Sequence, residues 1–251
     1  MKKLIITLLF SIVMVNAFAS EEEIKLDKAP VNLNDKASLQ RGAKDFAQYC
    51  FSCHSAHFMR YNRIAKDTGM SEADVRKEFI FTRNKKGVPT KIGDLMKVSM
   101  TDDYAEKAFN TAVPDLSVVA RARGADWLYT YLHSFYSDPS RPTGMNNTVF
   151  PNVGMPNVVW ELQGIQKAVY KTVEHDGIKS EVVDHLEMAS PGSMSKKEYD
   201  AFTTDLVNFM VYMGEPAQLQ RKALGWKVLL FLAGFFVVAY LLKKEYWKDV
   251  H

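Results

Sequence analysis

Apolar residues recur at Leu39, Ala43, Phe46, Ala47 and Cys50, a spacing that places them on one face of a helix, with Asn34, Asp35 or Ser38 available as its cap. A second stripe, Tyr199, Phe202, Leu206, Phe209 and Met213, lies in a segment that Ser195 and Glu198 open as a capping box and Gly214-Glu215-Pro216 closes. Both helices are amphipathic and unstable alone in water, so each stripe is read as core packing. Between them the pattern predicts helices over 70–81, 102–109 and 123–136, the last after a Pro114-Asp115-Leu116-Ser117 start. Gly- and Pro-rich loops occupy 138–157. Residues 168–174 and 178–186 then alternate around Asp176-Gly177, a hairpin signal. With no internal repeat, the expected architecture is mainly α, with one small β insertion.

Two longer apolar runs sit near the ends. Residues 4–15 follow Lys2 and Lys3 and precede Ala17-Phe18-Ala19, the order of a secretory signal, so 1–19 is expected to be removed after Ala19. That run falls short of the ~20 residues a bilayer requires. Residues 228–242 do better: Leu224, Gly225 and Trp226 extend them to spanning length if Lys227 snorkels, giving a transmembrane anchor over 224–242. Trp226 on one side and Tyr246 with Trp247 on the other suit the two headgroup belts. Basic residues flank both ends of this span, so charge alone does not orient it. The export signal does, placing 20–220 in the periplasm of a bacterial inner membrane and leaving 243–251 as a short cytoplasmic tail.

The formal charge of +3 over 251 residues changes meaning once these ends are set aside. Removing Lys2, Lys3, Arg221, Lys222, Lys227, Lys243, Lys244 and Lys248 from 32 basic residues leaves 24, and removing Glu245 and Asp249 from 29 acidic ones leaves 27. An exported part with a net charge of about −3 argues against nucleic acid as a partner and weakly favours a basic protein. Two cysteines cannot build a disulfide framework.

Those two cysteines form the chemical motif, Cys50-Phe51-Ser52-Cys53-His54, the c-type haem attachment pattern. Two thiols on one tight turn reach the two vinyl groups of a porphyrin, and the next imidazole falls beneath the iron as a ligand. A thioredoxin-like pair would need a βαβ setting, whereas here a helix leads in; a structural zinc site would need more Cys or His. The second iron ligand is open among 12 methionines. Met155 is the leading candidate, in Val153-Gly154-Met155-Pro156, where Gly154 allows close approach to a flat ring and Pro156 stiffens the exit. Met145 and Met188 are the alternatives. His57, His133, His175 and His185 are read as surface or satisfied core residues. Arg121 or Arg123 is placed to neutralise a propionate, and Pro114 to offer a carbonyl or a wall to His54.

Taken in order, these segments resemble the cytochrome c1 family, the haem c subunit of the cytochrome bc1 complex, especially its proteobacterial members. The likeness rests on Leu39-Gln40-Arg41-Gly42-Ala43 before the haem motif, Met59-Arg60-Tyr61-Asn62-Arg63 after it, Pro114-Asp115-Leu116-Ser117 with Arg121-Ala122-Arg123, Gly154-Met155-Pro156, and 205–209 through Met213-Gly214-Glu215-Pro216 before the anchor. It implies a class I cytochrome c fold with insertions, in which the helix near Phe46 crosses the helix near Phe202 to Phe209. It also implies His54 and Met155 as axial ligands, Pro114 beside His54, Arg123 near a propionate and Trp127 as an aromatic haem contact. One covalently attached haem c is the implied cofactor, with cytochrome b and Rieske iron–sulfur subunits as partners and a cytochrome c as electron acceptor. The stretch Phe109-Asn110-Thr111-Ala112-Val113 departs from the family pattern, and no haem contact is carried over from it. The expected function is electron transfer as a redox subunit, not an enzyme on its own. A free-standing anchored cytochrome, or a haem enzyme or sensor with an open sixth position, would share these motifs.

Overall fold

A computed structural model describes residues 24–249 except 84–85 and 176–177, so the expected signal segment, the hairpin turn at Asp176-Gly177 and His251 lie outside the described residues. An irregular lead runs into α1 (Lys36–Asp45) and a single π-helical turn (Phe46–Cys50). There follow β1 (Ala56–Arg60), α2 (Tyr61–Thr68), α3 (Glu72–Phe79), β2 (Leu95–Met96), α4 (Asp102–Phe109), α5 (Val119–Arg123) and α6 (Ala125–His133). The chain continues through β3 (Phe135–Ser137), β4 (Met145–Asn147), α7 (Trp160–Gln163), β5 (Gly164–His175), β6 (Ile178–Pro191), α8 (Lys196–Gly214) and α9 (Gln218–Tyr246). The mainly α architecture, with hairpins and a C-terminal apolar helix, is the expected one.

The frame is the crossing of α1 and α8. Asp35 caps α1, its carboxylate accepting the Ser38 N–H at 3.0 Å, and Ser195 and Glu198 close the capping box that starts α8. The helices meet at Gly42, where an added Cβ would lie 1.9 Å from the Asp205 carbonyl oxygen, so any larger residue would force the two backbones apart. One turn on, Phe46 and Phe209 are fully buried with ring centres 5.6 Å apart, each contributing about 2–3 kcal/mol by leaving water. Polar groups in the seam are paired: Arg41 grips Asp205 through two bonds of 2.6 and 3.0 Å, and the Asn208 amide donates to Asn32 O and Ser38 Oγ, both at 2.9 Å.

Three local expectations change. The predicted 123–136 helix is cut at Gly124, whose φ of +91° no ordinary helical residue adopts, and Tyr136 pairs with Asn146 in a strand instead. The predicted 70–81 helix shortens to α3, with the Ser71 hydroxyl accepting the Asp74 N–H at 3.1 Å. The expected β insertion is present, and among the described residues it is one of three two-stranded antiparallel ladders. The hairpin β5–β6 is longer than its alternation suggested, and Gln166 ties its base to the carbonyls of His133 and Phe135 at 2.8 and 2.9 Å. Finally α9, at 29 residues or about 43 Å, exceeds the ~30 Å hydrocarbon core, has no buried residue, and is long and apolar enough to cross a membrane.

Candidate functional site

The π turn delivers the motif. Its wider spiral, closed by the Phe51 N–H on the Phe46 carbonyl at 2.9 Å, is followed by a tight turn in which the N–H groups of Cys53 and His54 both reach the Cys50 carbonyl, at 3.1 and 2.9 Å. Both thiols are unpaired. Burial, reinforced by the charge of Asp45 and by Cys53, pushes the Cys50 thiol up to about 12, the reverse of the lowered value a redox dithiol needs for attack.

His54 is buried, and its Nδ1 lies 2.8 Å from the Pro114 carbonyl oxygen, which makes Nδ1 the protonated nitrogen and turns Nε2 outward as a lone-pair donor. Nε2 has no protein partner among the described residues. Burial lowers the imidazole below its usual value, with Pro114 and Asp115 partly opposing, so the ring is neutral, as a metal ligand must be. Segment 114–117 is fastened to segment 54–58 by further bonds: Leu116 N–H to Ser55 O at 2.9 Å, His57 N–H to Asp115 at 2.8 Å, and Phe58 N–H to Ser117 Oγ at 3.0 Å. The His57 ring adds a 2.6 Å contact to the same carboxylate.

Met155 reaches the same cavity from the long loop after β4. Its sulfur accepts the Tyr131 hydroxyl at 3.3 Å. The Tyr131 ring is stacked on Trp127, with centres 4.9 Å apart and an 11° tilt, and meets Phe135 edge-on at 5.0 Å. Gly154 does not lean toward open space: a Cβ there would lie 2.8 Å from the Thr111 methyl, so its smallness serves the packing of the 109–113 stretch.

Cys50, Cys53, His54 and Met155 line one cavity of about 410 Å³ whose walls include Leu116, Leu128, Leu132, Leu206 and Met210. Arg123 is the basic side chain in this lining, its guanidinium 5.2 Å from the Trp127 ring centre and 5.9 Å from that of Phe150. It has no carboxylate partner among the described residues, whereas Arg121 turns away to Glu215 at 3.9 Å. A c-type haem suits this donor set: two unpaired thiols on a turn, a neutral imidazole with a free nitrogen, a thioether, apolar walls and one cation for an acidic substituent.

All seven expected site residues thus meet in one place and line the cavity, and Pro114 also supplies the carbonyl that holds His54. Met145 sits in β4 and Met188 is exposed on β6, and neither lines the cavity. His57 is a surface residue paired with Asp115; His133 is a satisfied core residue between Tyr129 O and Asp200; His185 is exposed beside Asp184. Sequence reasoning missed Tyr131, whose helix periodicity gives no hint that its hydroxyl meets a sulfur 24 residues away. It also left out Phe109, Thr111, Ala112 and Val113, which form part of the wall.

The Cytochrome C1 family model matches residues 27–250. The chain is similar to the cytochrome c1 of Allochromatium vinosum, 47% identical over 251 residues that cover all of both chains. It is 51% identical over 235 residues to the ammonia monooxygenase gamma subunit of Nitrosomonas europaea, covering 94% of this chain and 93% of that one. Similarity extends to the mitochondrial cytochrome c1 haem protein of Saccharomyces cerevisiae, 23% identical over 240 residues, covering 88% of this chain and 70% of that one.

Proposed function

Because the chain belongs to the cytochrome c1 family, we propose that Cys50 and Cys53 carry its haem and that His54 and Met155 are the iron ligands. The family assignment makes the chain an electron-transfer subunit of the cytochrome bc1 complex, with one covalently bound haem c, and a redox subunit rather than an enzyme by itself. The convergence of both thiols, a neutral imidazole and a thioether on one apolar cavity supports the site reading.

When bound, the haem supplies a one-electron couple; the chain supplies attachment, ligation and surroundings. Cys50 and Cys53 anchor the group to the turn. The Pro114 carbonyl fixes the tautomer and plane of His54, and His54 and Met155 would together hold the iron, which would leave it no role in binding a substrate. Methionine ligation and apolar walls both favour the less charged, reduced state and hold the potential high. Arg123 is assigned to a propionate, and Trp127 packs beneath that cation.

The partners proposed are cytochrome b and a Rieske iron–sulfur protein, with electrons passing on to a cytochrome c. The excess of acidic residues in 20–220 favours a basic acceptor. The apolar helix fits a membrane anchor; we place the span at 224–242, the domain 20–220 in the periplasm after removal of 1–19, and 243–251 in the cytoplasm. The optical spectrum of Met155→Leu tests the ligand set: the far-red band of sulfur-ligated oxidised haem should vanish, and its persistence would remove Met155 from this role. Mild-detergent purification should recover haem b and an iron–sulfur protein with the chain; recovery without them would overturn the partners.

A further inference from the structure

We propose that Tyr131 is a positioning residue for the Met155 sulfur, and that its hydroxyl raises the reduction potential of the bound haem by hydrogen-bonding that sulfur. This rests on Met155 being an iron ligand, as read above.

Three observations carry it. First, the hydroxyl donates to Met155 Sδ at 3.3 Å and has no other partner among the described residues. A thioether is a weak acceptor, so enclosing a phenol against one costs more than enclosing a phenylalanine of the same shape. Packing alone would be served by Phe, which leaves the oxygen to be explained by what it does to the sulfur. Second, residues 153–156 make no other hydrogen bond among the described residues, so this bond is the polar contact of the four residues that carry the sulfur, between flanks held at Asn152 and Asn157. Third, the donor is rigid. Tyr131 is clamped between Trp127 at 4.9 Å and Phe135 at 5.0 Å, and its carbonyl accepts the Asn147 amide at 2.8 Å.

The sign follows from electron demand. A sulfur that gives one lone pair to iron and accepts a proton donor on the other is a poorer electron donor, and the oxidised iron, needing that density more, loses more stability. The potential reads only the difference in that bond between the two oxidation states, so the whole of a neutral hydrogen bond, about 1 kcal/mol or roughly a fivefold change in the reduction equilibrium, sets an upper limit of about 40 mV for a one-electron couple.

The test uses the full chain, haem-loaded and in detergent. Tyr131→Phe should retain covalent haem and the far-red sulfur band, with its midpoint potential lowered by up to that amount. The band should also disappear at a lower temperature than in the parent, since residues 153–156 have lost their polar contact. Placing the more acidic donor 3-fluorotyrosine at position 131 should move the potential upward, which keeps the idea testable if Tyr131→Phe loads haem poorly. An unchanged potential in Tyr131→Phe, or no upward shift with the fluorinated residue, overturns the proposal. The ligand reading fails separately: if Met155→Leu keeps the sulfur band, Met155 is not the ligand and this inference falls with it. If Met155→Leu loses the band while Tyr131→Phe leaves the potential unmoved, only the role of Tyr131 is lost.

Discussion

The wall that carries His54 and the wall that carries Met155 are held in different ways. On the His54 side, segments 54–58 and 114–117 are joined by four bonds in which one partner at least is backbone, from His54 to Pro114 at 2.8 Å through Phe58 to Ser117 at 3.0 Å, besides the contact of the His57 ring with Asp115. On the Met155 side, the loop is anchored at Asn152, whose N–H donates to Asn146 Oδ1 at 2.8 Å, and at Asn157, whose amide donates to Gln163 at 2.9 Å, while residues 153–156 between them rely on apolar packing and one hydroxyl–sulfur bond of 3.3 Å. Several backbone bonds in series resist local opening, whereas a four-residue stretch held by one weak side-chain bond yields first. Of the two proposed ligands, the imidazole is therefore the stiffly held group and the thioether the adjustable one. In a c-type haem site such a division places potential tuning on the methionine side while attachment stays fixed.

The largest effect should come from removing the frame that both walls share. Gly42→Val would drive a side chain into the Asp205 carbonyl and should cost more than about 3 kcal/mol, leaving little folded protein in a denaturant titration. Wild-type stability in that variant would mean that α1 and α8 are not the common support.

Next comes Asp115→Ala, which strips the His54 side of its carboxylate link and should cost about 1–2 kcal/mol near neutral pH. Burial alone would raise the Asp115 carboxyl, but its bonds with Ser117 and His57 outweigh this and hold it below the usual range. A depressed carboxyl gives its full stability above about pH 4 and loses it as pH falls through the folded value, so the penalty should shrink as the pH drops below about 4. A penalty independent of pH would show that the carboxylate charge is not what joins the segments.

Asp45, at the end of α1 that leads into the Cys50 turn, works in the opposite sense. Burial, with the charge of Asp205 adding and Arg41 opposing, pushes its carboxyl up to about 7. Since the unfolded chain deprotonates near pH 4, stability should decline as pH rises from about 4 to 7 and then level off. Asp45→Asn should flatten that decline and, allowing for solvent screening, gain about 1 kcal/mol at pH 8. Urea midpoints at pH 5 and pH 8 decide it; a decline as steep as the parent's would assign the effect to another group.

The smallest change in stability should be the most informative about the soft wall. Gly154→Ala presses on the Thr111 methyl, a side chain able to give way, and should cost about 1 kcal/mol or less. It should nevertheless shift or weaken the far-red sulfur band. An unaltered band would mean that the Met155 loop is as stiff as the opposite wall.

Legibility in the sequence followed the same division. Cys50, Cys53 and His54 were readable because attachment chemistry fixes their spacing locally, and both frame helices were readable because their caps and stripes are local. Met155 was one of several methionines until the resemblance singled it out. Arg121 and Arg123, two residues apart, were not separable by spacing; the structure turns one toward Glu215 and the other into the cavity wall. The break at Gly124 was hidden because apolar periodicity continues across it.

By itself, then, the sequence determined the attachment turn, the two crossing helices and the anchor, since each is specified by residues within a few turns of one another. Only the tertiary structure decided that the Pro114 carbonyl faces His54 across 60 residues, that the 109–113 stretch walls the cavity, and that the Tyr131 hydroxyl meets the Met155 sulfur. Those contacts join segments with no shared periodicity, and they exist because the α1–α8 seam brings the connecting loops onto one face of the core.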